Sequence, residues 1–244
     1  MSLIEVHLSD IVKKQYFFKL KGFVGAITSL LIAQLFALLF SLGGLMSLST
    51  GSGDGTSVTI SSYSANLVIA FTMIWGFVSA FTITTRAYRN DDFTFVSTRL
   101  SSNLANILYI VSLSMIGGFT SLLSGIGLKV FIFYQQGADQ IIGSPFSPLD
   151  IIVGLLSTSL YVFLISALGY LLGVIIQLHK LFAIVLSSLL IGLLIVGENF
   201  PILQLVLEFF YLETSLFQFT LKVLFTSGLL FVSAISISNH LEVK

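Results

Sequence analysis

The residues of this chain that could carry chemistry are few and scattered. Three histidines, His7, His179 and His240, sit at the edges of long apolar runs, and none stands in an HExxH spacing. Carboxylates pair once, as Asp91 and Asp92, in a polar stretch where any solvated loop would carry charge. There is no cysteine, which excludes disulfides, thiol nucleophiles and cysteine metal sites. No GxxxxGKS/T phosphate loop and no GxGxxG follows a strand-like run, so neither usual nucleotide cradle is present. The apolar runs hold no His, Asp or Glu with which to build an intramembrane protease, only Gln34, Asn66, Asn106 and many Ser and Thr. The chain does not read as an enzyme, and no cofactor is expected on it. Proton- or sodium-coupled carriers place ionisable groups near the bilayer midplane. A transporter built from these runs would draw its energy from outside its own membrane domain.

The elements around these residues are set by composition. Of 244 residues, 56% are hydrophobic and 9% charged, with mean hydropathy +1.03. Soluble domains carry about 25% charged residues, so this chain cannot cover a surface in water. The sequence predicts an all-α integral membrane protein. Its net charge is zero, so no basic field draws nucleic acid. Residues 1–22 are too polar to span. On a helix, Ile4, Leu8, Ile11, Val12 and Phe18 gather on one side, interrupted by Gln15 and Lys19, a pattern suited to the membrane interface. No short apolar core precedes a small-residue cleavage pattern, so the first span is expected to stay as an anchor.

Six spans follow, over about 23–48, 63–83, 104–126, 151–176, 181–196 and 219–238. A Gly/Ser/Thr loop occupies Ser49 to Ser62, and Leu128 to Tyr134 extends the third span toward the interface. The fifth run, Leu181 to Val196, would reach only about 24 Å as a helix, short of a hydrocarbon core of roughly 30 Å. Glu198, Asn199 and Pro201 break it, which predicts a re-entrant region over 198–217. With both termini inside, nine Lys and Arg residues lie on the inner side and two, Lys129 and Lys222, on the outer. That asymmetry predicts a multi-pass protein with cytoplasmic termini. No internal repeat suggests a two-halved carrier. The small-residue pairs Ala33–Ala37 and Gly169–Gly173 permit close helix contact, which within a bundle is ordinarily internal packing.

One charged stretch lies between two walls of apolar sequence, TTRAYRNDDFTFVSTRLSSN over 84–103. It cannot sit in hydrocarbon and must be a loop on one membrane face. An acidic residue, Asp92, is followed by Phe93-Thr-Phe-Val96 and then by the small-residue turn Ser97 to Ser102 leading into the third span. With the interfacial N-terminal helix, the six spans and the broken segment before the last one, this order resembles an ABC transporter type-2 permease. The likeness covers the whole chain by architecture. Arg99 stands where that family commonly has proline, and aspartate where glutamate is more usual.

The resemblance implies a permease subunit of an exporter in the cell (plasma) membrane. It would form the translocation path for an amphipathic or hydrophobic cargo, a peptide first among them. A second permease copy or a related one would complete the path, and a separate ABC ATPase subunit would bind the ATP. Arg86, Arg89, Asp91, Asp92, Phe93 and Phe95 would be its coupling contacts. For Arg86 and Arg89 the positive-inside charge of any cytoplasmic loop is an equal explanation. Two other readings stand beside this one: a six-span substrate-capture module, whose packing motif Ala33-xxx-Ala37 is similar to, and a membrane protein giving bacteriocin immunity.

Overall fold

The computed structural model describes residues 7–22, 24–42, 47–51, 57–61, 65–85, 88, 98–136, 147–178, 181–186, 188, 192, 204–205, 208–210, 213 and 215–240. It is a helical bundle. In chain order the main helices are α1 (Leu8–Gly22), α2 (Val24–Leu42), α3 (Asn66–Ile83), α4 (Arg99–Gln136), α5 (Pro148–Leu178) and α6 (Leu216–His240). Helices α2 to α6 are each long and apolar enough to cross a membrane. Their outward faces carry exposed Leu, Ile and Phe, such as Leu31, Leu35 and Phe36 on α2. In water such a surface would aggregate; in lipid it is the expected solvent-facing side. The chain is a multi-pass helical membrane protein.

At α4 and α5 the helix start follows local capping chemistry more closely than hydropathy. At α4 the Ser101 backbone N–H donates to Thr98 Oγ1 at 3.2 Å, and the Thr98 N–H donates back to Ser101 Oγ at 3.1 Å. This reciprocal cap starts the helix at Arg99, so residues 99–103 are its first turns although they fall in the stretch read as loop. At α5, Ser147 caps, Pro148 takes the first helical position, and Asp150 Oδ2 accepts from the Ser147 N–H at 3.2 Å. Helix α4 has 38 residues, about 57 Å of rise, and carries through Leu128 to Tyr134 without a break. Between α2 and α3 the Gly/Ser/Thr stretch is an antiparallel hairpin rather than a loop throughout. Strands Ser47–Gly51 and Ser57–Ser61 pair from Ser47 with Ser61 to Gly51 with Ser57. β-Branched Thr and Val around an SGDGT connection favour that conformation over a helix.

Helix α5 is the centre of the bundle and packs on α3, α4 and α6. A Cβ added at Gly169 would overlap the Phe77 carbonyl, and one at Gly173 the Thr84 hydroxyl, so α3 and α5 run side by side at near backbone contact. The Gly169–Gly173 pair is internal packing, as its spacing predicts. Tyr161 packs at a tilt on Phe219, ring centres 4.7 Å apart, and Tyr170 on Phe231 at 5.7 Å, so α5 and α6 are parallel. Gly118 faces Ser159 while Asn106 reaches Tyr170, so α4 is antiparallel to α5. The C-terminal ends of α3, α5 and α6 and the N-terminal end of α4 therefore lie together, at what we term the loop end. The other ends lie on the hairpin side.

Helix α1 turns an unexpected face to this bundle. Its buried residues are Val12, Gln15 and Lys19, whereas Leu8 and Phe18 are exposed. Lys19 faces inward onto the Asn106 side chain of α4, and Gln15, one turn before it on the same face, is buried with it. Of the apolar side expected from the sequence, Val12 is buried and Ile11 partly so, while Leu8 and Phe18 face away from the protein.

Candidate functional site

The coupling residues expected from the sequence, Arg86, Arg89, Asp91, Asp92, Phe93 and Phe95, lie outside the described residues, as do most of the expected fifth span and re-entrant region. The two posts from which that stretch leaves the bundle are described. At one post, Thr84 closes the last turn of α3 with its hydroxyl on the Phe81 carbonyl at 2.7 Å, and its own carbonyl accepts from Gln177 Nε2 of α5. At the other, the Arg99 guanidinium donates to the carbonyls of Asn239 at 2.8 Å and Ser238 at 3.4 Å. A cation on the last carbonyls of α6 satisfies acceptors the helix cannot and complements its dipole.

Just inside the loop end lies a buried polar network. Lys19, only 2% exposed, donates from Nζ to Asn106 Oδ1. Asn106 Nδ2 donates to the Tyr170 hydroxyl at 3.3 Å, and that hydroxyl donates to Asn103 Oδ1 at 2.8 Å. One turn along α1, the Tyr16 hydroxyl and Ser112 Oγ are 2.7 Å apart. The network thus ties α1, α4 and α5 together through an amine, two amides and a phenol. It has no nucleophile paired with a base. Its chemistry is that of holding and orienting. Two side chains here are incompletely satisfied: both polar atoms of neighbouring Gln15, and the Nδ2 of Asn103 within the network, are buried with no partner among the described residues. A buried amide left unsatisfied costs about 1–3 kcal/mol.

Beside the network a groove of about 560 Å³ runs between α1, α2 and α3. Lys19, Tyr88 and Tyr109 line it at the loop end, and Ala33 and Phe71 close it toward the hairpin side. Trp75 forms part of its wall with Nε1 held by Ser29 Oγ at 3.0 Å. Deeper still, Gln34 Nε2 donates to the hydroxyls of Thr72 and Thr120, each at 3.0 Å, joining α2, α3 and α4 across the core.

A second cluster marks the hairpin end. Lys222 of α6 pairs with Glu213, donates to the Phe209 carbonyl at 3.1 Å and lies 4.0 Å from the centre of the Phe209 ring. The Tyr161 hydroxyl donates to the Phe210 carbonyl at 3.1 Å. Phe209 and Glu213 are thereby held against the first turns of α6, and Phe210 against α5. Among the described residues no three His, Cys, Asp or Glu side chains gather as metal ligands would.

Sequence reasoning singled out Asn106 and Gln34 as polar groups in apolar runs, and both are junctions. It passed over Tyr170, Tyr109, Trp75 and Asn103. A signal for the network was present in two spacings: Gln15 and Lys19 at i, i+4 on an apolar face, and Asn103 and Asn106 at i, i+3 on the next charged boundary. Comparison with known protein families, characterised proteins and solved structures gives no match to this chain.

Proposed function

We propose that this chain is the membrane permease subunit of an ATP-powered exporter, passing an amphipathic or hydrophobic cargo, a peptide first among them. It is driven by a separate ATPase subunit docked on the 84–103 stretch. The observation that carries this reading is the anchoring of that stretch. Its two ends leave from Thr84, held by α5, and from Arg99, held by α6. A force applied to it is delivered to four helices at once, as an energy-coupling element requires.

Two further features support the reading. Helices α5 and α6 are parallel, so the chain leaving Leu178 starts at the loop end and reaches Leu216 at the hairpin end. A sixth crossing within 179–215 satisfies that geometry, and the clamp of Phe209 and Glu213 on Lys222 suits a segment folded back at the far side. The lysine and arginine asymmetry of the sequence supports a cytoplasmic loop end and cytoplasmic termini, and the exporter reading carries the plasma membrane with it. A second permease, identical or related, completes the path.

The test is purification from the native host in mild detergent, with ATPase activity assayed for the wild type and for Asp91→Ala/Asp92→Ala/Phe93→Ala. A nucleotide-hydrolysing subunit that accompanies the wild type and is lost from the triple variant supports both the reading and the docking residues. An ATPase retained by the variant moves the docking site elsewhere. A chain that purifies alone sinks the exporter reading and brings ligand capture or immunity forward.

A further inference from the structure

Helix α1 buries, on its docked face, a group that opposes docking. That face is drawn by Val12, Gln15 and Lys19, spaced by three and four residues and all buried, with Tyr16 and Leu20 beside them against the core. It rests on α4 and touches α2 only slightly. The Tyr16–Ser112 and Lys19–Asn106 bonds tie it down. Gln15, on the same face and 2% exposed, has neither polar atom partnered among the described residues. Docking thus strips its amide of hydrogen bonds that it would keep at a wet interface. Apolar contact does little to offset that loss. Acyl chains are as apolar as the leucines of the bundle, so leaving α4 for lipid costs an apolar side chain little. The opposite face of α1, with Leu8, Phe17 and Phe18, is exposed already. At the joint, α1 ends at Gly22 and α2 begins at Val24 with Gly25 in its first turn. A Cβ built on either glycine meets nothing within 4 Å, so packing does not demand glycine there; what it supplies is freedom of the backbone.

We propose that α1 is a hinged flap, turning about Gly22–Gly25 between this docked position and a released one. In the released position Gln15 and Lys19 face interfacial water while Phe17 and Phe18 stay in lipid. The bundle beneath keeps its shape without the flap. Gln34 joins α2, α3 and α4 through Thr72 and Thr120, α5 lies on α3 at Gly169, and Arg99 ties α4 to α6, all without α1. The dock is also linked to the start of α4. Asn106, which accepts from Lys19, donates to Tyr170, and Tyr170 donates to Asn103 on the first turns of that helix. A change at the loop end therefore reaches α1 through one chain of bonds. Release takes Phe18, Lys19 and Gly22 out of the wall of the groove beside Trp75, which opens the flank between α2 and α3. The device goes beyond the permease reading and does not depend on it, since the flap is followed on the isolated chain with no ATPase present.

The chain has no cysteine, so a single introduced thiol reports local opening. Val12→Cys puts the thiol on the docked face of α1. Val223→Cys, the same exchange, puts it in the contact of α6 with Leu164 of α5. The full-length protein in lipid nanodiscs is treated with a water-soluble maleimide, and labelling is timed by mass spectrometry. Val12→Cys is expected to label well ahead of Val223→Cys, because release of α1 uncovers only the first site. Gln15→Leu keeps the bulk of the side chain and removes the unpartnered amide. It should slow labelling of Val12→Cys by roughly 5- to 150-fold and leave Val223→Cys unchanged. Tyr16→Phe should speed labelling of Val12→Cys by about 2- to 10-fold, since it loses a tie to α4 while Ser112 keeps its bond to the Leu108 carbonyl. Equal labelling of the two thiols with Gln15 present overturns the proposal, because α1 then leaves only when the whole bundle opens. An undiminished Val12→Cys rate in Gln15→Leu protein of unaltered circular dichroism overturns it as well, because the amide then does not oppose docking.

Discussion

Replacing Gly169 by alanine tests the closest packing in the bundle. The added methyl would overlap the Phe77 carbonyl oxygen and lie 3.0 Å from the Phe77 Cα. Backbone atoms cannot rotate aside, so α3 and α5 have to part along a seam that also holds the Gln177–Thr84 bond. Overpacking costs about 1–3 kcal/mol, with the rigid neighbour putting this site at the upper end. Exchanging glycine for alanine in a helix returns about 0.5–1 kcal/mol. The net expectation is a loss of about 2 kcal/mol. Gly173→Ala should cost less, because its first obstacle is the Thr84 side chain, which can turn at the expense of its bond to the Phe81 carbonyl. Gly228→Ala on α6 meets nothing within 4 Å and should be neutral or slightly stabilising. The assay is reversible unfolding in mixed micelles titrated with denaturing detergent, followed by Trp75 fluorescence on α3. If Gly169→Ala unfolds at the same midpoint as Gly228→Ala, the two helices are not in backbone contact and the reasoning fails.

Two further substitutions address the polar clusters. In a double-mutant cycle of Lys222→Ala and Glu213→Ala, the coupling should reach roughly 1–2 kcal/mol, because both side chains are mostly shielded and share one network; a coupling near zero would mean that the pair does not hold Glu213 against α6. Tyr170→Phe removes the hydroxyl that both Asn103 and Asn106 use and should cost about 1 kcal/mol in the same unfolding assay, while Phe163→Leu, which touches α6 and not the network, should leave the Tyr16–Ser112 and Lys19–Asn106 contacts intact by cross-linking of α1 to α4.

Long apolar runs were enough to place α2, α3, α5 and α6, because a bilayer demands helices of that length and forbids exposed backbone. The start of α4 was not visible to hydropathy. It depends on the exchange of bonds between Thr98 and Ser101, which places charged Arg99 on the first turn of a membrane helix. The hairpin at 47–61 was hidden because small polar residues serve loop and strand alike. On α1 the periodicity was legible but its inward side was not. Gln15 and Lys19 look like blemishes on an apolar face until Asn106 is known to stand opposite Lys19. The groove depends on tertiary placement of Trp75, Tyr88 and Tyr109 from separate elements, and no spacing within the chain encodes that.

The bond from Arg99 to the end of α6 also has a meaning in time. Chains are made from the N-terminus, so α4 enters the membrane long before the carbonyls of Ser238 and Asn239 exist. Until α6 arrives, the guanidinium at the mouth of α4 lacks the Ser238 and Asn239 carbonyls that it caps in the finished bundle. A half-made protein therefore lacks the tie between the start of α4 and the end of α6, and order of synthesis makes that contact one of the last to form.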